Sequence, residues 1–229
     1  MKIEPNLIGN ILLFEDMSDE ECVAITQLCD WTNYESDRQI LYEDDRTTDV
    51  FFIVKGAVSA KSFSPSGTEV TYLDLGDGEI FGEFSAIDGE HRSATVMTTA
   101  PSLIGRLNSD QFKHILKEYP QLSLKFSMLL VAKIRSLSTR IYEFSALNVR
   151  CRLHAELLRM CKPTDDPNTG IIKPAPTHYE LATHISTHRE AVSRELSKLV
   201  NFGILKTKGR TYTVCDLIRL KELVALAEM

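Results

Sequence analysis

The sequence predicts an α+β chain in three parts: an N-terminal β-roll of the jelly-roll kind, a long helix, and a C-terminal winged helix-turn-helix domain. Three observations predict it. Residues 31–107 form short β-rich runs, DVFFIVKGAVSAKSF and EVTYLDLGDGEIFGEF among them, broken by Gly, Pro, Asp and Ser at intervals of about 8 to 12 residues. The stretch QLSLKFSMLLVAKIRSLSTRIYEF then contains neither Gly nor Pro. Further on, THYELATHISTHREAVSRELSKLV has the punctuation of two short helices and a turn, with the basic stretch FGILKTKGRTYTV behind it.

Taken in order, a short helical start leads into the strand-rich run, which shows no βαβ alternation and so predicts a roll rather than a parallel sheet. From Asp110 the period changes: SDQFKHILKEY reads as a short capped helix opening at Ser109, and Pro120 suits the first turn of the next. That next helix repeats apolar residues at Phe126, Leu130, Ile134, Leu137, Ile141 and Phe144. Steps of three and four over several turns make a seam that can pack on a second copy, so a homodimer joined through this helix is expected. A hinge is expected at residues 145–148, before the helix SALNVRCRLHAELLRMC resumes, followed by the polar loop CKPTDDPNTG and the brief extended IIKPAP. The expected domains are therefore 1–118 for the roll, 119–145 for the long helix and hinge, and 146–229 for the winged domain.

Composition narrows the classes. With 229 residues and 43% hydrophobic content the chain can build one large or two ordinary cores. No apolar run approaches the ~18 residues of a membrane span, and MKIEPNLIGN lacks the basic start and apolar stretch of a signal peptide, so a cytoplasmic protein with no membrane partner is expected. Cys22, Cys29, Cys151, Cys161 and Cys215 are scattered and never spaced CxxC, which predicts reduced thiols packed as small apolar groups and excludes a tight iron–sulfur set. Charge is uneven: from Ala146 onward 13 Lys/Arg face 9 Asp/Glu, while residues 1–145 hold 13 against 23. An acidic front and a mildly basic back predict modules with different partners.

The back module carries the sharper pattern. Thr177 with Glu180 makes a capping box, Leu181, Ala182 and Ile185 give one apolar face, and Ala191, Val192, Leu196 and Leu199 give the facing one. Ser186 occupies the turn position that usually takes Gly for its positive φ, at a cost of about 1 kcal/mol. Outward at the start of the second helix lie Thr187, His188, Arg189, Glu190, Ser193 and Arg194, where a recognition helix meets base edges. Arg suits the O6/N7 pair of guanine and Glu accepts from the cytosine amine, so Arg189 and Glu190 can read a G and a neighbouring C, with Ser193 and Arg194 one turn deeper. Lys206, Lys208 and Arg210 around Gly209 make a basic hairpin wing for phosphates. His184 and His188 imitate a metal pair, but the turn between them breaks the shared face, and no metal site is expected. A catalytic cupin-like barrel would need clustered His/Glu ligands in the strands, where His91 is the only histidine; no enzyme is expected.

Residues 81–96, FGEFSAIDGEHRSATV, place Glu83 and the pair Arg92–Ser93 around a turn rich in Gly and Asp, between apolar strand-like ends. This stretch resembles the phosphate-binding cassette of the cyclic-AMP receptor protein (CRP/FNR) family of bacterial transcription regulators, and the resemblance covers nearly the whole chain. It implies that Gly82 lets backbone approach a cyclic nucleotide, that Glu83 accepts from the ribose 2′-hydroxyl, and that Arg92 and Ser93 hold the cyclic phosphate; Phe84 and Ser85 complete this ligand-binding set. Counted along the family pattern from Arg92, the place of an adenine-binding Thr falls to Leu137, with Ser138 as its hydroxyl-bearing neighbour. The effector so implied is cAMP first and cGMP second. A homodimer on a near-palindromic double-stranded DNA site with half-sites like TGTGA, and RNA polymerase as a further partner, are implied in the same way. The C-terminal CDLIRLKELVALAEM reads as an amphipathic helix packed on its own module.

Overall fold

A computed structural model describes residues 5–65, 67 and 69–225; the sequence readings that touch residues 1–4 and 226–229 lie outside the described residues. These form two compact units that divide between Lys133 and Ile134. The division falls inside one continuous helix rather than at either of its ends.

In the first unit two 3₁₀ turns, Ile8–Asn10 and Leu12–Phe14, precede α1 (Asp19–Leu28), whose N-terminus is closed by a capping box between Ser18 and Glu21. Eight strands follow: β1 (Asp30–Tyr34), β2 (Gln39–Leu41), β3 (Val50–Lys55), β4 (Val58–Phe63), β5 (Glu69–Leu75), β6 (Ile80–Phe81), then, after the short helix α2 (Glu83–Asp88), β7 (Thr95–Thr98) and β8 (Ser102–Leu107). They pair antiparallel in two four-stranded sheets, ordered β1-β8-β3-β6 and β2-β7-β4-β5. Strand β3 is buried on both faces because each face meets a different layer. Phe51 and Ile53 point between the sheets with Leu41, Val58, Leu75, Phe81, Val96 and Ile104. Val50 and Phe52 point outward, to the core built with α1, α3 (Ser109–Glu118) and the start of α4 (Pro120–Ala146).

Helix α4 corrects part of the seam reading. Phe126 is buried among Phe112, Ile115 and Leu122 of its own unit, and Leu130 is packed partly on the same core. The large apolar residues left exposed on α4 are Leu124, Met128, Val131, Ile134, Leu137, Ile141, Tyr142 and Phe144. Helical spacing identifies an apolar stripe but not the layer that covers it.

The second unit continues from α4, which breaks at Leu147 and Asn148; Asn148 caps α5 (Val149–Met160) by accepting from the amides of Arg150 and Cys151. Strands β9 (Lys162–Pro163) and β10 (Gly170–Ile172) lead to α6 (His178–His184), α7 (Arg189–Asn201), the hairpin β11 (Leu205–Thr207) and β12 (Tyr212–Val214), and α8 (Leu217–Ala225). The sheet order is β11-β12-β10-β9. Its core gathers Leu153, Leu157, Leu181, Ala182, Ile185, Val192, Leu196, Leu199 and Leu220. Of the predicted inward face of α7, Ala191 is only half-buried.

Candidate functional site

The cassette is built around one tight turn. Strand β6 ends at Phe81, and the next residue, Gly82, has a φ of 78° that places it in the left-handed region as the N-cap of α2. A Cβ at Gly82 would come within 2.8 Å of the Asp49 carbonyl oxygen and 2.9 Å of Arg92 Nη1. Glycine is thus required twice over, for its φ and for the approach of Arg92. Helix α2 ends at Gly89, also left-handed at φ 80°, and the returning loop is pinned by Arg92 N–H donating to the Asp45 carbonyl and Asp44 N–H donating to that of Arg92, both at 2.9 Å.

Arg92 is buried, 2% exposed, and its guanidinium is gripped from three sides. Nε donates to Thr47 Oγ1 at 3.0 Å, Nη1 to the Gly82 carbonyl at 2.8 Å and Nη2 to the Asp49 carbonyl at 2.9 Å. Its charge also lies 5.9 Å from the centre of the Phe51 ring, which stacks on Phe81. Burial lowers its pKa, opposed by the charges of Asp49, Asp45 and Glu83; a guanidinium stays protonated regardless. Three of its five N–H donors are used by these bonds, which leaves donors for an anionic oxygen.

Glu83, 3% exposed, takes its ion pair from Lys133 of α4, whose Nζ stands 2.6 Å from Oε1 and also donates to the Ile80 carbonyl at 3.0 Å. Sequence reasoning missed Lys133. The signal was available: it falls seven residues after Phe126 and three after Leu130, on the stripe that α4 turns to its own unit, and a cation on such a stripe requires a carboxylate opposite. Ser85 is buried and donates to the His91 carbonyl at 3.2 Å, whereas Phe84 and Ser93 are exposed. A cleft of about 580 Å³ adjoins the partners of Arg92, lined by Asp45, Thr47, Asp49 and Phe51 together with Asp30 and Arg106, and its acidic side repels an anion. The donor set on the Gly82 side, Arg92 with the exposed Ser93 hydroxyl, and the acceptor Glu83 fit a cyclic phosphodiester joined to a ribose. Leu137 and Ser138 lie on the stretch of α4 in the second unit, both exposed, with Ser138 Oγ donating to the Ile134 carbonyl at 2.9 Å.

In the second unit Thr177 and Glu180 cap α6 reciprocally, and Leu181, Ala182 and Ile185 meet Val192, Leu196 and Leu199 in the core. Ser186 has φ 49°, and the Thr187 amide donates back to the Ala182 carbonyl at 3.0 Å, which closes the turn. His188 stands in extended conformation as the N-cap of α7. His188, Arg189, Glu190 and Arg194 are exposed; Thr187 is half-buried. Ser193 is half-buried too, and its hydroxyl shares a 2.7 Å hydrogen bond with His178 Nδ1, so it holds α6 to α7. The wing turns at Gly209 and Arg210, Gly209 at φ 55°, between reciprocal backbone bonds of Lys208 and Thr211. Lys206, Lys208 and Arg210 are exposed there. Among the described residues no group of three or more His, Cys, Asp or Glu could hold a metal ion, and no helix is long and apolar enough to cross a membrane.

A β-roll with a buried Glu and Arg around one turn, carried on the same chain as a winged helix-turn-helix with a basic outer face, defines a DNA-binding regulator with a sensor module. Residues 31–119 match the cyclic nucleotide-binding domain family, and residues 151–223 the Crp-like helix-turn-helix domain family. The chain belongs to the CRP/FNR family of transcription regulators, which are not enzymes. It is similar to the cyclic AMP receptor protein of Thermus thermophilus, 26% identical over 211 residues covering 92% of this chain and 95% of that one. It is also similar to the cAMP-activated global transcriptional regulator Vfr of Pseudomonas aeruginosa, 25% identical over 193 residues, or 81% and 89% of the two chains. Among solved structures, a CooA mutant from Carboxydothermus hydrogenoformans has the same fold, with a TM-score of 0.79 and 21% identity over 94% of this chain and 95% of that one.

Proposed function

We propose that this protein is a cyclic-nucleotide-responsive, sequence-specific DNA-binding regulator that works as a homodimer, with cAMP as effector ahead of cGMP. The observation that carries the reading is the pairing of a buried acceptor, Glu83, and a buried cation, Arg92, at opposite ends of one glycine-started turn. Arg92 and Ser93 would hold the phosphodiester, Glu83 the ribose hydroxyl, with Phe84 and Ser85 beside them. For the base, the hydrogen of Ser138 is already donated along α4, so its oxygen offers lone pairs. Lone pairs suit the 6-amino group of adenine and also the 2-amino group of guanine, so the order of cAMP before cGMP rests on the family resemblance. The exposed apolar row on α4 supports self-pairing through that helix, within an organisation of roll, residues 1–118, helix and hinge, 119–145, and winged domain, 146–229.

In this reading ligand binds the DNA-competent arrangement of the dimer more tightly than the other, since equal affinity would shift nothing. Two copies of α7, roughly 34 Å apart, then enter successive major grooves of a near-palindromic site. A second reading, a regulator of the same fold that works without a ligand, is favoured by one observation: Lys133 and the three partners of Arg92 satisfy the cassette from within. Calorimetric titration with cAMP and cGMP side by side, followed by DNA binding in each state, separates the two. Heat with cAMP and tighter DNA binding is expected; no heat with either nucleotide, together with undiminished DNA binding, establishes the second.

A further inference from the structure

We propose that the DNA-binding unit carries a ligand site of its own, a cleft between α5, α7 and α8 that takes a small organic anion with a planar apolar body and one O–H or N–H donor. The cleft has a volume of about 470 Å³, within the range of small-molecule sites. It does not rest on the effector reading of the roll, and none of its lining belongs to the face of α7 assigned to DNA.

Three features of the lining set the ligand chemistry. Leu199 and Ile204 are buried at its base, and Phe202 stands 62% exposed at its edge, with the Arg219 guanidinium 5.9 Å from its ring centre. An exposed aromatic face next to a buried aliphatic floor accommodates a flat apolar body. Charge is the second feature. Among the described residues Arg150, Lys198 and Arg219 line the cleft against one carboxylate, Glu195, which is already engaged by His154 and by Lys198 at 3.3 Å. This excess of cation, in a chain of net charge −6, calls for an anion.

The third feature is His154. It is 4% exposed, and its Nε2 lies 3.1 Å from Glu195 Oε1. A carboxylate only accepts, so Nε2 carries the proton and Nδ1 is left as a lone-pair acceptor. That Nδ1 is buried without a hydrogen-bond partner among the described residues. Buried polar atoms in folded proteins are nearly always paired, and an unpaired acceptor on a cleft-lining residue marks the place of a donor from outside. Burial lowers the pKa of the ring, partly opposed by Glu195, and so keeps Nδ1 unprotonated. Because Glu195, Lys198 and Leu199 all belong to α7, a ligand here bears directly on the seating of the recognition helix.

The test uses the full chain and three probes: 6-hydroxy-2-naphthoate, with anion and donor; 2-naphthoate, without the donor; and 2-naphthol, without the anion. Calorimetry is expected to give saturable binding of 6-hydroxy-2-naphthoate at one per chain, with each of the other probes roughly tenfold weaker or worse. The combined Lys198→Gln and Arg219→Gln variant, altered only at exposed side chains, is expected to lose roughly tenfold or more as well. In the unaltered chain the ¹⁵N resonance of His154 Nδ1 should move on saturation. Absence of saturable binding, equal affinity for the three probes, indifference to the double substitution, or an unmoved His154 resonance each overturns the proposal.

Discussion

The imidazole of His184 donates through Nδ1 to Oε1 of Glu156 across 2.9 Å, with both side chains buried. The same glutamate lies 3.9 Å from Arg140 and is paired to Arg159, which also grips both oxygens of Glu143 at 2.6 and 2.7 Å. Arg140 in turn donates to the His184 carbonyl at 2.9 Å. The last turns of α4, the middle of α5 and the end of α6 are thereby tied together one residue before the helix-turn-helix turn begins.

Glu156→Ala should therefore be severe. It takes the buried carboxylate away from His184, Arg140 and Arg159, and breaking a buried pair by removing one partner costs about 3–5 kcal/mol. The comparison is Asp30→Ala: its ion pair with Arg106 at 2.8 Å is solvent-exposed and should cost no more than about 1 kcal/mol. Urea denaturation of the two variants of the full chain checks both values; equal losses would mean that the Glu156 network contributes no more than a surface pair.

Stability should fall on the acid side in two stages. Burial holds the His154 pKa below its ordinary 6.5, with Arg150 acting the same way and Glu195 opposing. Burial pushes Glu156 up, but the hydrogen bond from His184 and the charges of Arg159, His184 and Arg140 outweigh it and leave the carboxyl below its ordinary 4.5. In both cases the unfolded chain binds the proton first, so the stabilisation is complete above the unfolded value and is lost as pH falls toward the folded one. The His154 contribution should start to go below 6.5 and that of Glu156 only below 4.5. Denaturation midpoints measured across this range should decline in that order, and His154→Gln should flatten the upper stage alone.

Much of this was legible in the sequence, and the gaps have one physical source. The continuous apolar run VFFIV reads as a strand covered on both faces, and the structure divides its side chains between the two cores accordingly. Ser186 at a position that needs positive φ was readable from the turn spacing, and it adopts φ 49°. What periodicity does not carry is the partner. Phe126 sits on the same stripe as Ile134 yet fills its own core. The Glu156–His184 and Lys133–Glu83 pairs join residues far apart in sequence: a lone cation on an apolar stripe, as at Lys133, shows that a partner is needed but not which one.

In the cassette, Lys133→Gln and Arg92→Gln should part company. Lys133→Gln leaves Glu83 buried without its cation, and since Lys133 is itself partly exposed the stability loss should sit near the lower end of the ~3–5 kcal/mol typical of broken buried pairs. Arg92→Gln removes the cation proposed to meet the phosphate, so cAMP affinity should fall by at least about tenfold, or ~1.4 kcal/mol, and operator affinity should cease to respond to the nucleotide. Nucleotide titration and DNA binding on both variants give the answer. An operator response to cAMP that survives unchanged in Arg92→Gln removes the phosphate assignment.

On the DNA side, Arg189 and Lys208 should fail in different ways. Arg189 is exposed in the first turn of α7, where a bidentate contact to guanine O6 and N7 is geometrically natural, so Arg189→Ala should cost about 1–3 kcal/mol and relax preference at a single G. Lys208 is exposed beside the wing turn and carries a point charge on a flexible stem, which suits a phosphate and reads no base. Lys208→Ala should weaken binding about equally on the preferred site and on a site with one changed base, and lower the salt-dependence slope by about 1. Titrating both variants against both sites at several salt concentrations distinguishes them. If Arg189→Ala lost affinity uniformly and kept the discrimination of the parent, the arginine would be a phosphate contact and base reading would have to reside in Glu190 and Arg194, the other charged side chains exposed on that face.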